Sequence, residues 1–540
     1  MLSLLLFLLS RSGHAQVSKG NFILLTRGLQ VQGMCANYDP FHLDTYSNAN
    51  YTSIHWLWNS TPSAMGDPPG FPWSRWVAAE TNLPPQGDEN LYLSQLVSLQ
   101  LSHEAGDEWE LNDPVVRDRA VNWFNAIRND WPDTILYLNS YGGQVGDAQL
   151  GDFITRARPD MICFDTYPWK TDGSGTSPGD TPIHWYGDIR RYREHARANN
   201  IPLATYPQTY HSVTDATRDP SPSELRLTHF AALAFNAKVL IDFTYNTGAS
   251  SFFDNAAGGD NSPNALYDEK ADCSIRARNL GKALVRLKPI DDVVFPDLHT
   301  TSMMFLRGRA PGGAINPIPI GFLADPEAPN GYTDWVSDRN DPWLRGWVVT
   351  NKAGIKNGGT NGDVVISWFK PLDETFDGPT YSNQIYFMVL NGLTAPDGTA
   401  ADCLQEIKLN FANSFSALEM LDPLTGLVTT NTLPIVSTRR QLVLNLNGGD
   451  AALFKISNGA PFVGVPPITP RLSLAMQGGS PTLTLQGAIG SRYQLERADS
   501  VPNSNWTVLT NLVLPTSPYV LTDSSPPSNG RGFYRAVAIP

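Results

Sequence analysis

Short apolar segments alternate with longer amphipathic or polar stretches through the first half of the chain. Seven of these segments have the length and composition of buried strands, and they lie at 28–35, 52–58, 96–101, 134–139, 160–165, 201–206 and 238–243. The stretches between them include helical patterns at 114–129 and at 221–236, the second of which opens with Ser221 and Glu224 in the spacing of a capping box. Repeated strand-then-helix units predict a parallel sheet.

A closed barrel needs an eighth strand, and the sequence offers a less obvious candidate at 302–306, after a helical pattern at 275–287. We therefore predict an α/β fold in which a (β/α)8 TIM-type barrel covers 16–310. A doubly wound open sheet is the alternative architecture.

The pattern changes after the predicted barrel. Segment 311–461 carries strand candidates separated by turn residues without helices between them, which predicts an antiparallel β-sandwich. A Pro-rich linker follows at 462–470, and short strand candidates over 471–540 predict a small immunoglobulin-like β module. The expected architecture is thus a TIM barrel followed by two all-β sandwich domains.

The N-terminus and the overall charge restrict the partners of the protein. Residues 1–15 pair an apolar run with a short small and polar stretch, which predicts a signal peptide cleaved after Ala15 and a secreted, periplasmic or cell-surface location; a buried first helix is the alternative. No later segment is long and apolar enough to predict a membrane span. With 39 Lys and Arg against 52 Asp and Glu, the formal net charge of −13 makes a nucleic-acid partner improbable. The oligomeric state is left open.

The four cysteines, at Cys35, Cys163, Cys273 and Cys403, have no C-x-x-C spacing. Cys35 and Cys163 end apolar segments and are expected to be small buried residues, while Cys273 and Cys403 could form a disulfide. The 9 His residues are spread singly, so the sequence predicts no metal site and no cofactor.

The strongest cluster of candidate catalytic groups follows the third predicted strand. Glu104, Asp107, Glu108 and Glu110 lie in one short segment there, and like charges that close favour one carboxyl keeping its proton to higher pH, as a general acid requires. A solvated acidic loop, or a cap for the helix at 114, is the structural alternative.

Two further acids end predicted strands. Asp165 follows an apolar segment and precedes Tyr167 and Trp169, and Asp242 lies in the seventh predicted strand. Functional groups of parallel barrels gather at the C-terminal strand ends, so both are catalytic candidates. A buried structural aspartate that binds loop amides is equally compatible with the sequence.

Amide and aromatic side chains near the same strand ends are candidates for binding sugar hydroxyls and sugar faces. These substrate-binding candidates are Gln32, Trp58, Asn139, Tyr167, Trp169, Tyr206 and Tyr245. At strand ends such groups also often bond only to neighbouring loops. Carboxylic acids across a cleft lined by aromatic rings are the arrangement that glycoside hydrolysis requires.

Several motifs resemble those of secreted bacterial (β/α)8-barrel glycoside hydrolases. They are Gly106-Asp-Glu after a strand, a strand ending in Asn139, and Arg158-Pro-Asp-Met-Ile-Cys-Phe-Asp-Thr-Tyr-Pro, and they cover about 29–287. The resemblance implies a carbohydrate substrate, with Glu108 as general acid/base and Asp165 as its partner. Barrels of this type carry their acid/base Glu after strand four and a nucleophilic Glu at strand seven, whereas this chain has Asp-Glu after the third predicted strand and Asp242 on the seventh.

Three functions are consistent with the sequence. The first is a glycoside hydrolase that cleaves a poly- or oligosaccharide. The second is a non-catalytic carbohydrate-binding protein on a degenerate barrel, and the third is a metal-dependent hydrolase. The first two are separated by whether two carboxylates converge at the barrel mouth.

Overall fold

The computed structural model describes residues 22–539 apart from gaps, of which the longest are 37–42, 58–70, 103–108, 172–182, 291–302, 307–342 and 353–358; the others span one to five residues. Eight parallel strands form the first sheet: β1 (Gln30–Cys35), β2 (Ser53–Trp56), β3 (Trp73–Ala78), β4 (Leu96–Ser102), β5 (Ile135–Tyr137), β6 (Ile162–Asp165), β7 (Leu203–Tyr206) and β8 (Ala237–Asp242). The described helices around it are α1 (Leu43–Asn48), α2 (Pro114–Asp130), α3 (Asp147–Ala157), α4 (Ile183–Ala198), α5 (Pro222–Ala234) and α6 (Ala265–Leu284). Short 3-10 turns lie at Glu89–Leu91, Leu93–Gln95 and Ala401–Cys403.

The sheet curls into a barrel. Its strand order is β5-β4-β3-β2-β1-β8-β7-β6, which leaves β5 and β6 as the two edges. Just beyond β5, Tyr141 pairs in parallel with Asp165, where Asp165 N donates to Ser140 O at 3.1 Å and Gly142 N donates to Asp165 O at 2.8 Å. The predicted TIM-type barrel is therefore confirmed.

Two strands differ from the sequence-based prediction. The sequence missed β3, which pairs with β2 and β4 inside the barrel. The candidate eighth strand at 302–306 was wrong, because Met303–Leu306 pairs antiparallel with Val364–Pro371 in a later sheet. The third predicted strand is thus β4, and the strand that ends in Asp242 is β8.

Local capping signals define two of the helices. The Ser221 hydroxyl accepts from Glu224 N at 3.3 Å while Glu224 Oε2 accepts from Ser221 N at 2.8 Å, which confirms the capping box of α5. The Asp113 side chain caps α2 by accepting from the main-chain N–H groups of Val115 and Val116, and Pro114 occupies the first helical position, where its missing N–H costs nothing.

Two antiparallel sheets follow the barrel and pack face to face. One has the order β10-β12-β13-β19-β15-β16, with β9 beside β12, and the other has the order β11-β14-β18-β17. Their strands are β9 (Leu287–Pro289), β10 (Met303–Leu306), β11 (Leu344–Asn351), β12 (Val364–Pro371), β13 (Tyr386–Asn391), β14 (Gln405–Phe411), β15 (Ala417–Leu421), β16 (Val428–Thr432), β17 (Ile435–Val436), β18 (Arg439–Leu446) and β19 (Ala451–Ile456). Because β9 and β10 precede residue 311, this sandwich includes chain that the sequence placed in the barrel.

A small sandwich of two three-stranded sheets ends the described chain. The sheets have the orders β20-β21-β24 and β23-β22-β25. Their strands are β20 (Arg471–Gln477), β21 (Ser480–Gln486), β22 (Arg492–Ala498), β23 (Thr507–Val513), β24 (Tyr519–Thr522) and β25 (Phe533–Ile539), and the two sheets share a core that includes Leu485, Tyr493 and Leu495.

The barrel and the first sandwich share one apolar core. The cluster between the barrel strands and the helices continues into the sandwich through Phe369, Tyr386, Leu453 and Val463. Polar contacts accompany it, since Ser221 Oγ of the α5 cap donates to Ala395 O at 2.7 Å. The two units are therefore packed as one body along α5.

All four cysteines are buried free thiols. Cys273, which the sequence left open as a disulfide partner of Cys403, lies on α6, and Cys403 lies in a 3-10 turn of the sandwich.

Candidate active site

The barrel strands contain two acidic residues, and they point in opposite directions. Cys163 belongs to the apolar cluster inside the barrel and Phe164 to the cluster outside it, so Asp165 shares the inward face of β6. On β8, Ile241 faces inward and Leu240 outward, which places Asp242 on the outward face. Asp165 is thus the one carboxylate that the eight strands direct into the barrel.

Asp165 is the last residue of β6, at the C-terminal end where barrel enzymes place their functional groups. Its main chain is bound on the β5 side through Ser140 and Gly142, and it pairs with Tyr206 of β7 on the other. The side chain is 1% exposed, and its Oδ2 accepts a hydrogen bond from the Tyr167 hydroxyl at 3.0 Å. The carboxylate is therefore held in one position by rigid neighbours.

Three aromatic rings form a wall beside Asp165. The rings of Tyr167 and Phe243 stack with centroids 5.5 Å apart, and Tyr210 meets both edge-on at 5.0 Å. Tyr167 and Phe243 remain partly exposed. Burial raises the pKa of the Tyr210 phenol, so this hydroxyl stays protonated at neutral pH. A flat apolar surface beside a carboxylate suits the face of a sugar ring.

Polar side chains fill the upper barrel interior, where TIM barrels usually carry branched apolar residues. The Tyr206 hydroxyl donates to Gln100 Oε1 and lies 3.3 Å from His55 Nε2. Because Tyr206 uses its only proton on Gln100, His55 Nε2 carries a proton and donates to Tyr206. Burial lowers the pKa of His55 to about 3, so the imidazole is neutral at physiological pH.

Asp242 lies in a buried ionic cluster between the barrel and its helices. Its Oδ2 is 2.8 Å from Lys270 Nζ on α6 and accepts from the Tyr51 hydroxyl at 2.6 Å, while its Oδ1 is 2.8 Å from His229 Nε2 on α5. The side chains of Asp242, Lys270 and His229 have no exposed surface. Burial alone would raise the pKa of Asp242, but the positive charge of Lys270 and the hydrogen-bond contacts with Lys270 and His229 hold it below its usual range. The structure does not bring this predicted catalytic residue to the mouth.

The acidic segment follows β4. Asp107 and Glu108, the other predicted catalytic residues, lie outside the described residues, as does Glu104. The chain is described up to Ser102 and again from Trp109, which is buried and donates from Nε1 to Leu101 O of β4 at 2.8 Å. Both ends of the segment are therefore anchored at the C-terminal end of β4. By the corrected strand count, this segment follows the fourth strand of the barrel.

The predicted substrate-binding residues occupy three different places. Tyr167 is on the aromatic wall, and Tyr206 and Gln32 are inside the barrel, where Gln32 Nε2 donates to Ser74 Oγ at 3.0 Å. Asn139 lies two residues beyond the inward-facing Tyr137 and is also buried.

The remaining three are not on the described part of the mouth. Trp169 is 1% exposed and packs in the outer core, with the Arg218 guanidinium 5.8 Å from its ring centroid. Tyr245 packs edge-on against Tyr46 at 4.9 Å, also in the outer core. Trp58 lies outside the described residues.

Sequence reasoning did not select His55, Gln100 and Phe243 for the site, whereas it did name Tyr210 among the polar groups that follow a predicted strand. Phe243 follows β8 directly, so its position after a strand was an available signal. Gln100 carried a weaker signal, as a polar residue inside an otherwise apolar strand. The orientation of His55 depends on which face of β2 points inward, which sequence does not show.

No family model and no curated protein matches this sequence. Among solved structures, the chain is similar to a family 51 alpha-L-arabinofuranosidase from Bifidobacterium longum, with 11% identity, 82% of this chain and 97% of that one covered, and a TM-score of 0.37. It is also similar to a modular endo-beta-1,4-mannanase of glycoside hydrolase family 26 from Cellulomonas fimi (10% identity, 88% and 96% covered, TM-score 0.31). An aldolase matches with 8% identity, 40% and 90% covered, and a TM-score of 0.26. At these scores the similarities decide neither the reaction nor the substrate of this chain.

Among the described residues, no helix is long and apolar enough to cross a membrane. Within the same part of the chain, no three His, Cys, Asp or Glu side chains are grouped in a way that could hold a metal ion.

Proposed function

We propose that this protein is a glycoside hydrolase whose active site is the mouth of the barrel. The observation that carries the proposal is Asp165, a carboxylate fixed at the end of β6, directed into the barrel and adjoining a wall of aromatic rings. Hydrolysis of a glycosidic bond needs a carboxylic acid on each side of the bond and a surface that receives the sugar. Asp165 and the aromatic wall supply one acid and that surface.

The second acid in this proposal is Glu108, in the acidic segment that follows β4. Its role is to protonate the leaving oxygen, and the role of Asp165 is to attack the anomeric carbon or to activate water. Tyr167 orients Asp165 through its hydrogen bond, and the Tyr206 and Gln100 pair supports the floor beneath. The substrate is an oligo- or polysaccharide that the protein meets outside the cytoplasm, after removal of 1–15.

Product release from a panel of polysaccharides and aryl glycosides tests the proposal. The wild type is compared with Glu108→Gln and with Glu110→Gln, a matched control in the same acidic segment whose side chain is exposed. We expect turnover on at least one substrate, a loss of about 10²- to 10⁴-fold in Glu108→Gln, and near wild-type activity in Glu110→Gln. Full activity in a folded Glu108→Gln variant would remove Glu108 from the mechanism.

A carbohydrate-binding protein without turnover is the second candidate. It is favoured by one observation, namely that the eight strands direct a single carboxylate into the barrel while hydrolysis needs two. Saturable binding of a panel sugar by wild type, with no product from any substrate, would select this function over the first.

A further inference from the structure

A cavity lies at the end of the barrel opposite to the mouth. Its volume is about 660 Å³, within the range of small-molecule pockets. Three residues at the N-terminal ends of strands line one side of it: Gly28 lies two residues before β1, Thr52 directly before β2, and Pro72 directly before β3. The C-terminal half of α6 forms its other side. The cavity is therefore separated from Asp165 by the length of the barrel.

Two cationic side chains of α6 line this cavity, Arg278 and Lys282, one helical turn apart. Arg278 Nη1 makes a long hydrogen bond of 3.4 Å to Asn50 Oδ1. Neither cation pairs with a carboxylate among the described residues, whereas Arg276 of the same helix pairs with Asp272, and Glu269 pairs with Arg226. In a chain with a net charge of −13, two such cations in one cavity are unusual.

The position of Lys282 is set by the first sandwich. A Cβ atom on Gly426, in the turn between β15 and β16, would lie 2.4 Å from Lys282 Nζ and 2.6 Å from Asn279 Oδ1, so the ammonium group packs directly against this glycine. Asn279 Nδ2 also donates to the carbonyls of Pro423 and Leu424 in the same turn, at 3.0 and 2.9 Å. The residues that line the cavity all belong to the barrel unit, and two of them, Asn279 and Lys282, also contact this turn of the sandwich.

Favourable interaction with the helix dipole does not account for both cations. Lys282 lies in the last turn of α6, where a positive charge stabilises the helix. Arg278 lies six residues before the end of the helix, and the dipole effect falls off within the last turn. Arg278 is exposed to solvent at the cavity, where its guanidinium is accessible to a ligand.

The geometry points to a binding site for a small anionic molecule at this end of the barrel, with Arg278 and Lys282 as the groups that hold its charge. The ligands that fit this site share an anionic group, a carboxylate or a sulfate. Such a group is carried by an acidic sugar or is the free inorganic anion itself, and the hydroxyl of Ser47 on the cavity wall can bind a sugar hydroxyl. This site does not depend on the proposed hydrolase activity.

Isothermal titration of the full chain with glucuronate, sodium sulfate and neutral glucose tests the site. We expect saturable binding of glucuronate, and about tenfold or greater weakening in Arg278→Gln and in Lys282→Gln, because each removes a hydrogen bond to a charged group. Arg276→Gln is the matched control, because it removes one positive charge from the same helix outside the cavity.

The comparison of ligands separates the two sources of the anion. Sulfate that binds as tightly as glucuronate assigns the site to the anion alone, and tighter binding of glucuronate assigns it to an acidic sugar. Glucose that binds as well as glucuronate would overturn the assignment, as would equal weakening in Arg276→Gln and Arg278→Gln, or the absence of saturable binding of any charged probe. Turnover at the mouth, measured in the same variants, should stay at the wild-type level.

Discussion

Asp165 and Asp242 each end a strand of the same barrel, yet one carboxylate points into the barrel and the other into the layer of helices around it. The first meets a tyrosine hydroxyl at the mouth, and the second meets a lysine and a histidine in the core. Two chemically identical side chains therefore have different expected roles, and each can be tested separately.

Replacing Asp165 should abolish turnover without unfolding the protein. Asn keeps an oxygen that accepts from Tyr167 but cannot attack carbon or take a proton, so we expect a loss of about 10²- to 10⁴-fold in kcat. The melting temperature should stay near that of the wild type. Retention of full activity by Asp165→Asn would show that the reaction does not depend on this carboxylate.

Replacing Asp242 should mainly lower stability. Asn at this position leaves the Lys270 ammonium buried without its counter-charge, and loss of one partner of a buried ion pair costs about 3–5 kcal/mol. Urea unfolding measures the change in the free energy of unfolding. Asp133→Asn, at an exposed turn, is the control and should stay within about 0.5 kcal/mol of the wild type.

The ring and the hydroxyl of Tyr167 should have separable effects. Tyr167→Phe keeps the stack on Phe243 but removes the donor to Asp165, so we expect kcat to fall about tenfold with little change in KM. Tyr167→Ala also removes part of the aromatic wall and should raise KM. Identical kinetics in the two variants would contradict a role for the ring in binding the substrate.

Stability should fall as the pH is lowered below about 6.5. Burial lowers the pKa of His55 to about 3, and burial together with the charge of Lys270 lowers the pKa of His229. The unfolded chain, with histidine pKa values near 6.5, then binds more protons than the folded one, so this contribution is complete above about pH 6.5 and is lost progressively below it.

Each of these histidines contributes a slope of up to about 1.4 kcal/mol per pH unit. The free energy of unfolding, measured at pH 7, 6 and 5, gives this slope. Most carboxyl groups titrate below this pH range and contribute little to it. His55→Gln should reduce the slope by one histidine's share. A slope unchanged in a folded His55→Gln variant would be inconsistent with a buried neutral imidazole.

The contact between α5 and the sandwich should make the two units unfold together. Arg226 binds Asp450 of the sandwich at 2.6 Å while also pairing with Glu269 and Asp272 of α6. Asp450→Ala removes one of three partners, so we expect a loss of about 1–3 kcal/mol. Calorimetry should still show a single transition for barrel and first sandwich, because the shared apolar core remains. Two separate transitions in the wild type would refute this coupling.

The sequence was sufficient for the strand-then-helix pattern and the capping box, but not for every strand. β3 was missed because Arg75 breaks its apolar pattern, and the structure shows that this guanidinium is buried in an ion pair with Glu89. The error was accompanied by a false eighth strand at 302–306, since Met303–Leu306 pairs with β12 in the sandwich instead. A strand pattern shows apolar content, and it does not show which sheet the strand joins.

The site was only partly predictable for a related reason. Strands of a parallel barrel are buried on both faces, so their sequences do not reveal which residues point inward. Asp165 and Asp242 followed similar apolar runs, and only packing against Cys163 and Ile241 in the interior separated them. The polar interior around Tyr206 required contacts between strands that are far apart in sequence, such as Tyr206 with Gln100.

Asp165 presents the carboxylate and also closes the barrel, since it pairs with Tyr141 across the gap between β5 and β6. A ligand that required Asp165 to shift would have to break this pairing between the two edge strands. Accommodation of different ligands must therefore come from the connecting segments and their aromatic side chains, with the carboxylate as a stationary reference point. Redesign of the specificity of this protein would accordingly begin with Tyr210 and Phe243 and leave β6 untouched.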